Sequence, residues 1–254
     1  MKIVYIMVMV AFLTSMMASV GLCKVDLIAA YSFDDGTAKD LSGNGNNGTV
    51  NAVKVVDGKF GKALEFDGST SQVVIKSNDM LNFKDGVTVE AWVNPSKYNA
   101  LSAVVQKWGD NTNRRQYLLC FVGDKATMYI SGTGQSWPSA PGATSVKTGV
   151  WTHIAGTYDI KSIKTYVNGK LDAETPNTEG LFASDVPAWI GGYGPDADFG
   201  DNRHFPGVVD EVRYWNGALD DNTISQNMNK STAVMMAVDA SGKLATKWGA
   251  IKKY

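Results

Sequence analysis

The chain has 254 residues, 44% of them apolar, two cysteines and a formal net charge of −1. That length holds one large β-sandwich or two small domains, with enough apolar sequence for a core that depends on no disulfide framework. No run of basic residues exceeds two, which argues against a clustered phosphate-binding surface and so against nucleic acid as the main partner.

Residues 1–23 stand apart from the rest. Met1-Lys2 is a minimal positive start, residues 3–13 are almost unbroken apolar sequence, and small residues follow as far as Gly21 and Cys23. This is the pattern of a secretory signal peptide cleaved after Gly21 or Cys23. A secreted or extracytoplasmic mature chain with no membrane span is expected. Two rivals remain open: a lipid anchor on Cys23, which Leu22 directly before it fits poorly, and an uncleaved anchor helix, for which the apolar run is near the lower limit. Cys120, in the run YLLCFV, reads as a small buried apolar residue. A bridge from Cys23 to Cys120 is open only if cleavage follows Gly21.

The mature sequence is punctuated by Asn-Gly, Asp-Gly and Gly-Asn pairs, as expected of many short strands joined by turns. Residues 25–36 read as a first strand with Tyr31 and Phe33 on one face, ended by Asp34, Asp35 and Gly36. A polar, Gly-rich loop follows at 40–48. Its Asp40, Ser42 and Asn44 imitate the opening of a calcium loop, but Asn51 stands where the twelfth-position acid would be, so this is no EF-hand. The other reading is a loop of Asx turns. Residues 58–76 read as two strands around a turn at 67–71. Residues 87–94 alternate strictly, with Val87, Val89, Ala91 and Val93 on one face, and Pro95 stops them. Residues 103–108, 116–122 and 126–131 read as further strands. A long loop at 131–149 carries Trp137, either folded back onto the sandwich or offered to a ligand.

The segment WTHIAGTYDIKSIKTYVNGKL, residues 151–171, reads as one hairpin or two consecutive strands. Ile154, Gly156 and Tyr158 lie on one face, and Trp151, His153, Ala155 and Thr157 on the other. Neither face is plainly polar, so one meets a core and the other is covered or lines a groove. Asn168-Gly169 suits a tight hairpin turn. Residues 187–192 read as a strand. The loop 194–204 then gathers three aspartates, Arg203 and His204 beside Tyr193 and Phe199, a mixture that suits sugar, a cation or plain solvent. Residues 205–215 read as a strand with Val208, Asp210, Val212 and Tyr214 on one face. A buried carboxylate at Asp210 would need partners. A short helix at 219–228, capped by Asp220, ends the domain. In the tail 231–254, Leu244, Trp248 and Ile251 recur at helical spacing, and packing back through Trp248 is expected. Trp151, Ile154, Tyr158, Val167, Val212 and Tyr214 are the expected core contributors.

Several of these phrases together resemble the laminin-G-like jelly rolls of the concanavalin A-like lectin/glucanase superfamily, with pentraxin-like signatures. They are YSFD with DLSGNGNNG, GKFGKALEFDG, TVEAWVNP, the WTHIAGTYD…YVNGK hairpin, and FPGVVDEVRYWNGAL. An aromatic usual near Val73 is missing. The resemblance covers roughly residues 27–230 and implies an all-β, two-sheet antiparallel jelly-roll sandwich at 25–230 with one short helix near its C-terminal end. It also implies that the first and last strands lie close together, which would gather Asp34, Asp40, Asn44 and Asp210 as candidate calcium ligands. No cofactor is required.

Glucanases of this superfamily carry Glu-x-Asp-x-x-Glu on one strand, because glycoside hydrolysis needs two carboxylates flanking one bond. Here Glu65-Phe66-Asp67 opens that pattern and Gly68, Ser69 and Thr70 break it. With only His153 and His204, and no nucleophile elbow, a Ser-His-Asp triad has no support either. No catalytic residue is assigned. The reading is a secreted, non-catalytic module for carbohydrate or glycan, bound through rim loops or the concave face. The alternative is a cell-surface adhesion or protein-interaction domain. Trp108, Trp137, Tyr193, Phe199 and His204 are the candidate ligand contacts.

Overall fold

The computed structural model, which describes residues 25–109, 113–194 and 203–237, turns this alternation into strands. In chain order they are β1 (Leu27–Tyr31), β2 (Gly48–Asn51), β3 (Lys54–Asp57), β4 (Lys62–Asp67), β5 (Gln72–Ile75), β6 (Val87–Pro95), β7 (Leu101–Lys107) and β8 (Tyr117–Val122). Then come β9 (Lys125–Ile130), β10 (Ser139–Ser145), β11 (Thr152–Tyr158), β12 (Ser162–Val167), β13 (Lys170–Pro176), β14 (Ala188–Ile190) and β15 (Pro206–Trp215). The first sheet runs β13-β12-β11-β6-β15-β4-β3, with β1 pairing with the second half of β15; the other runs β10-β9-β8-β7-β14-β5-β2. The two antiparallel sheets form the jelly-roll sandwich. Leu64, Val89, Ile154, Tyr158, Val212 and Tyr214 of the first meet Ile75, Val105, Leu119, Phe121 and Met128 of the second in one core.

The central hairpin behaves as its sequence requires. Asn168 and Gly169 take φ of 50° and 73°, the positive pair a two-residue turn needs. The Asn168 side-chain oxygen also accepts the His153 N–H at 3.1 Å. Ile154, Tyr158, Val167, Val212 and Tyr214 are buried core residues, whereas Trp151 is only half-buried at the strand's entrance.

Three expectations are corrected. The segment 131–149 is not all loop, because β10 lies within it. Its sequence SAPGATS shows no apolar alternation because it is an edge strand with only Ala140 and Gly142 buried. Asp172 of β13 fixes its far end by accepting the N–H groups of Ala143 (2.8 Å) and Thr144 (3.0 Å), which stitches the edges of the two sheets together. A second short helix, residues 232–237, follows α1 (Asp221–Asn227), where one helix was expected. Lastly, Asp210 does not share the face of Val212. The register of β15 slips between Asp210 and Arg213, and Glu211 sits at φ 54°. This β-bulge turns Asp210 outward, paired with Trp92, while Val209, Val212 and Tyr214 stay in the core. The signal-like residues 1–23 and the tail from 238, with Trp248, lie outside the described residues. Among the described residues no helix is long and apolar enough to cross a membrane.

The centre of the outer face of the first sheet, on β6, β11, β12 and β15, is buried under α1 and the segment that follows. Ile224 packs on Ala155 and Tyr166. Beside them lies a charged network with no exposed member. Arg213 donates to Glu211 Oε2 at 2.7 Å, to the carbonyls of Asn227 (3.2 Å) and Lys230 (2.5 Å), and to Thr232 Oγ1 (3.0 Å). Glu211 Oε2 in turn accepts the Thr232 N–H at the start of the second helix. Arg213 therefore satisfies carbonyls at the end of one helix while Glu211 caps the next. Glu90 Oε1 lies 3.5 Å from Arg213 and accepts from Trp215 Nε1 and Asn227 Nδ2, both at 3.1 Å. His153 Nε2 stands 3.4 Å from the other oxygen. Burial would raise the Glu90 pKa, but the His153 imidazole beside it and the Arg213 charge override it and hold the carboxyl below its usual range.

Removing one partner from such a buried set leaves uncompensated charge. Arg213→Met should cost about 3–5 kcal/mol in urea unfolding, and Val212→Ala, a cavity in the core, about 2–4 kcal/mol. A cost for Arg213→Met below about 1 kcal/mol, the level of an exposed ion pair, would show that the network does not hold the helices. Asp210 supplies a pH signature. Burial pushes its carboxyl up to about 7, against the hydrogen bonds from the Phe60 and Glu211 N–H groups and with the help of the Glu211 charge. The folded protein thus holds this proton more tightly than the unfolded chain. The contribution is fully present below the ordinary carboxylate range and is lost as pH rises through about 7. Thermal melts of the wild type should decline over that window relative to Asp210→Asn, and parallel curves would contradict the assignment.

Candidate ligand-binding site

The strand β8 is apolar on both faces. Tyr117, Leu119 and Phe121 point into the core, which leaves Leu118 and Cys120 on the outer face of the second sheet. With Ala103 and Tyr129 from the flanking strands they form a second apolar layer that water should not wet. Trp108, just after β7, and Tyr193, just after β14, are buried against this layer. The cover is incomplete and leaves a pocket of about 270 Å³. Leu101, Leu118 and Tyr129 line it from the sheet, and Trp108, Arg115, Trp137, Tyr193 and Arg203 from the connecting segments.

Rings and guanidinium groups set the pocket's geometry. Trp108 meets Tyr129 edge-on at 6.2 Å between centroids. The Arg115 guanidinium carbon lies 5.8 Å from the Trp108 ring and 5.0 Å from Trp137. Arg203 lies 5.8 Å over Tyr193. Trp137 is 62% exposed, an unusual state for a ring of that size. Its loop is nevertheless well tied. Thr133 Oγ1 accepts the N–H groups of Gln135 (3.2 Å) and Ser136 (3.0 Å), and Ser136 donates to Glu179 at 2.5 Å. Gly134 sits at φ 78° against the Asn113 carbonyl and the Phe182 ring, so no side chain fits there.

Of the five candidate contacts, Trp108, Trp137 and Tyr193 converge on this pocket. Phe199 lies outside the described residues. His204 neighbours Arg203 and bridges to Ala103, but is not among the pocket's lining residues. Burial lowers its pKa, and the Asp67 charge opposes that. Sequence reasoning missed Arg115, Tyr129, Leu101 and Leu118. The absence of a polar face in YLLCFV was the available signal. Cys120 is buried as expected, with Sγ 3.7 Å from the Thr127 carbonyl oxygen, and burial pushes its thiol pKa up.

The candidate calcium ligands do not assemble into a cation site. Asp40 Oδ1 accepts the N–H groups of Ala30 and Ser42, and Oδ2 that of Asn46. Asn44 turns its amide nitrogen toward the Leu27 and Ile28 carbonyls. Asp34 and Asp210 go elsewhere, to the turn before β4, where they accept the Lys62 and Phe60 N–H groups at 3.0 Å each. Among the described residues no three acidic, His or Cys side chains are grouped to hold a metal. The carboxylates are used as backbone acceptors, the Asx-turn alternative. A chelator should therefore leave the melting temperature unchanged. A rise on adding calcium would reveal a bound ion.

A laminin-G family model, described as Concanavalin A-like lectin/glucanases superfamily, matches residues 67–225. Domain 4 of AbnA, a GH43 extracellular arabinanase from Geobacillus stearothermophilus solved in complex with arabinotriose, has the same fold. The TM-score is 0.64 at 23% identity, over 80% of this chain and 98% of that one. The binding domain of Paraclostridial Mosquitocidal Protein 1 gives 0.65 at 17% identity, over 79% and 51%. A structure of botulinum neurotoxin type C, whose cell entry depends upon interaction with two ganglioside molecules, gives 0.61 at 16% identity, over 80% and 51%. The chain thus spans about half the length of these toxin structures. No curated protein matches it. By its fold and by the family match over most of its sandwich, the chain belongs to the laminin-G family of the concanavalin A-like lectin/glucanases superfamily.

Proposed function

We propose that this protein is an exported, non-catalytic module that binds carbohydrate in the pocket on the outer face of its second sheet. The observation that carries the reading is Trp137, 62% exposed yet fixed over an apolar pocket. A large ring held in water loses burial energy unless a ligand covers it. Apolar walls with a few fixed polar groups are the usual make-up of a small-molecule site. Indole and phenol faces suit the C–H faces of a sugar ring, and Arg115 and Arg203 suit its hydroxyls. The arabinotriose complex of the AbnA domain and the ganglioside dependence of the toxin support carbohydrate as the ligand class.

Hydrolysis finds no support in the acids. Asp67 accepts the N–H groups of Ser69, Thr70 and Ser71 within its own turn. Burial opposes them, but these hydrogen bonds hold its pKa well below the usual range. An acid so reluctant to take a proton does not serve as a general acid.

Retention on polysaccharide affinity gels and a glycan array, with arabinan included, tests the reading. Trp137→Ala should weaken binding at least about tenfold, as expected for a central aromatic anchor, without lowering the melting temperature. Unchanged retention would remove the pocket, and no glycan binding at all would remove the function. N-terminal sequencing of the purified protein should start near Leu22 or Lys24. A start at Met1 would contradict export by cleavage.

A further inference from the structure

The most exposed ring of the pocket is attached to its most buried ring through one side chain. Trp108 is 4% exposed and wedged against Tyr129, whereas Trp137 is 62% exposed. Between them lies the Arg115 guanidinium, 5.8 Å from one ring centroid and 5.0 Å from the other. Arg115 is itself only 8% exposed. Its Nη1 donates to the Gln135 carbonyl at 2.6 Å, two residues before Trp137, and its backbone N–H donates to the Gly134 carbonyl at 3.3 Å. A single residue thus holds the Trp137 loop by its main chain and by a guanidinium hydrogen bond, and sets its charge over the Trp137 ring.

We propose that Arg115 is a positioning residue that fixes the Trp137 indole, through the buried Trp108, in the orientation that receives a sugar ring. Its use to the ligand rests on the carbohydrate reading above; its effect on Trp137 does not. On a loop of Gly, Ser and Thr, an exposed indole without such a partner would sample several rotamers, and ordering it would weaken binding. Arginine is suited to the task because its planar group stacks on a ring while its edge donates to a carbonyl. Lysine offers a compact charge with no face. The Ser136–Glu179 hydrogen bond holds the residue directly before Trp137, so the loop's backbone is fixed there and the indole's orientation is left to Arg115.

The test reads Trp137 directly. The near-ultraviolet circular dichroism of the wild type minus that of Trp137→Phe isolates the band of this indole. The same difference is taken in the Arg115→Lys and Arg115→Gln backgrounds, with thermal melts as the folding control. The expected result is a distinct band in the wild type that collapses in both variants while the cooperative melt is kept. In parallel, acrylamide quenching of Trp137 should rise toward that of free tryptophan. On the polysaccharide gel that retains the wild type most strongly, Arg115→Lys should dissociate faster with little change in association. A band retained in Arg115→Lys overturns the proposal, because charge alone would then suffice. Loss of the cooperative melt in both variants also overturns it, because Arg115 would then be part of the fold's core. A collapsed band in a protein that binds no glycan upholds the positioning and removes the carbohydrate reading. A retained band with firm glycan binding does the reverse.

Discussion

A buried arginine on the outer face of the first sheet is the contact on which the rest of the sandwich depends. Taking Arg213, Glu90 and Glu211 out of water is costly, and the cost is met only because each finds several partners at once. Those partners come from distant parts of the sequence: β6, β11, β15, α1 and the turn into the second helix. The network therefore tells the C-terminal helices where to sit. With α1 in place, His153, Ala155 and Thr157 lie in an interior, and β11 is covered on both faces. The phrase VDEVR is then a set of separate tasks made compatible by a bulge: Asp210 for the turn before β4, Glu211 and Arg213 for the helices, and the valines for the core.

The two outer faces contrast in how they are closed. On the first sheet the chain covers the central strands itself, using charge to fix the cover in one register. On the second sheet the underlying layer is apolar, and the cover is a few rings and guanidinium groups that leave room between them. Hydrophobic burial is non-directional and leaves such a layer able to accept a different occupant. The candidate site thus lies where the fold stops short of burying an apolar surface, and its rim is made of loops that the core does not dictate.

Much of the sandwich was legible in the sequence because its strands alternate and its turns are marked by glycine. The central hairpin, β6 and the ends of β15 follow directly from residue order. What could not be read follows from pairing rather than pattern. The sequence of β10 has no alternation, and it becomes a strand because β9 and Asp172 supply its partners. The bulge at Glu211 is invisible because nothing in the residue type demands a positive φ there. Of the site, the rings at 108, 137 and 193 were legible as aromatics in or beside loops. Arg115 was not, because its importance comes from the fold bringing it against the rings at both 108 and 137. The calcium reading failed to assemble for a related reason. Sequence placed the oxygens near one another, but could not show that backbone N–H groups had already taken them.

The groove between β1 and the second helix has a consequence for how the protein presents itself. Val25, at one end of the described chain, lines it together with Met235 and Met236, near the other end. Both ends of the described chain therefore lie together, on the side of the first sheet. The pocket opens on the far side, beyond the second sheet. The sandwich itself thus stands between the two ends of the described chain and the exposed Trp137 ring.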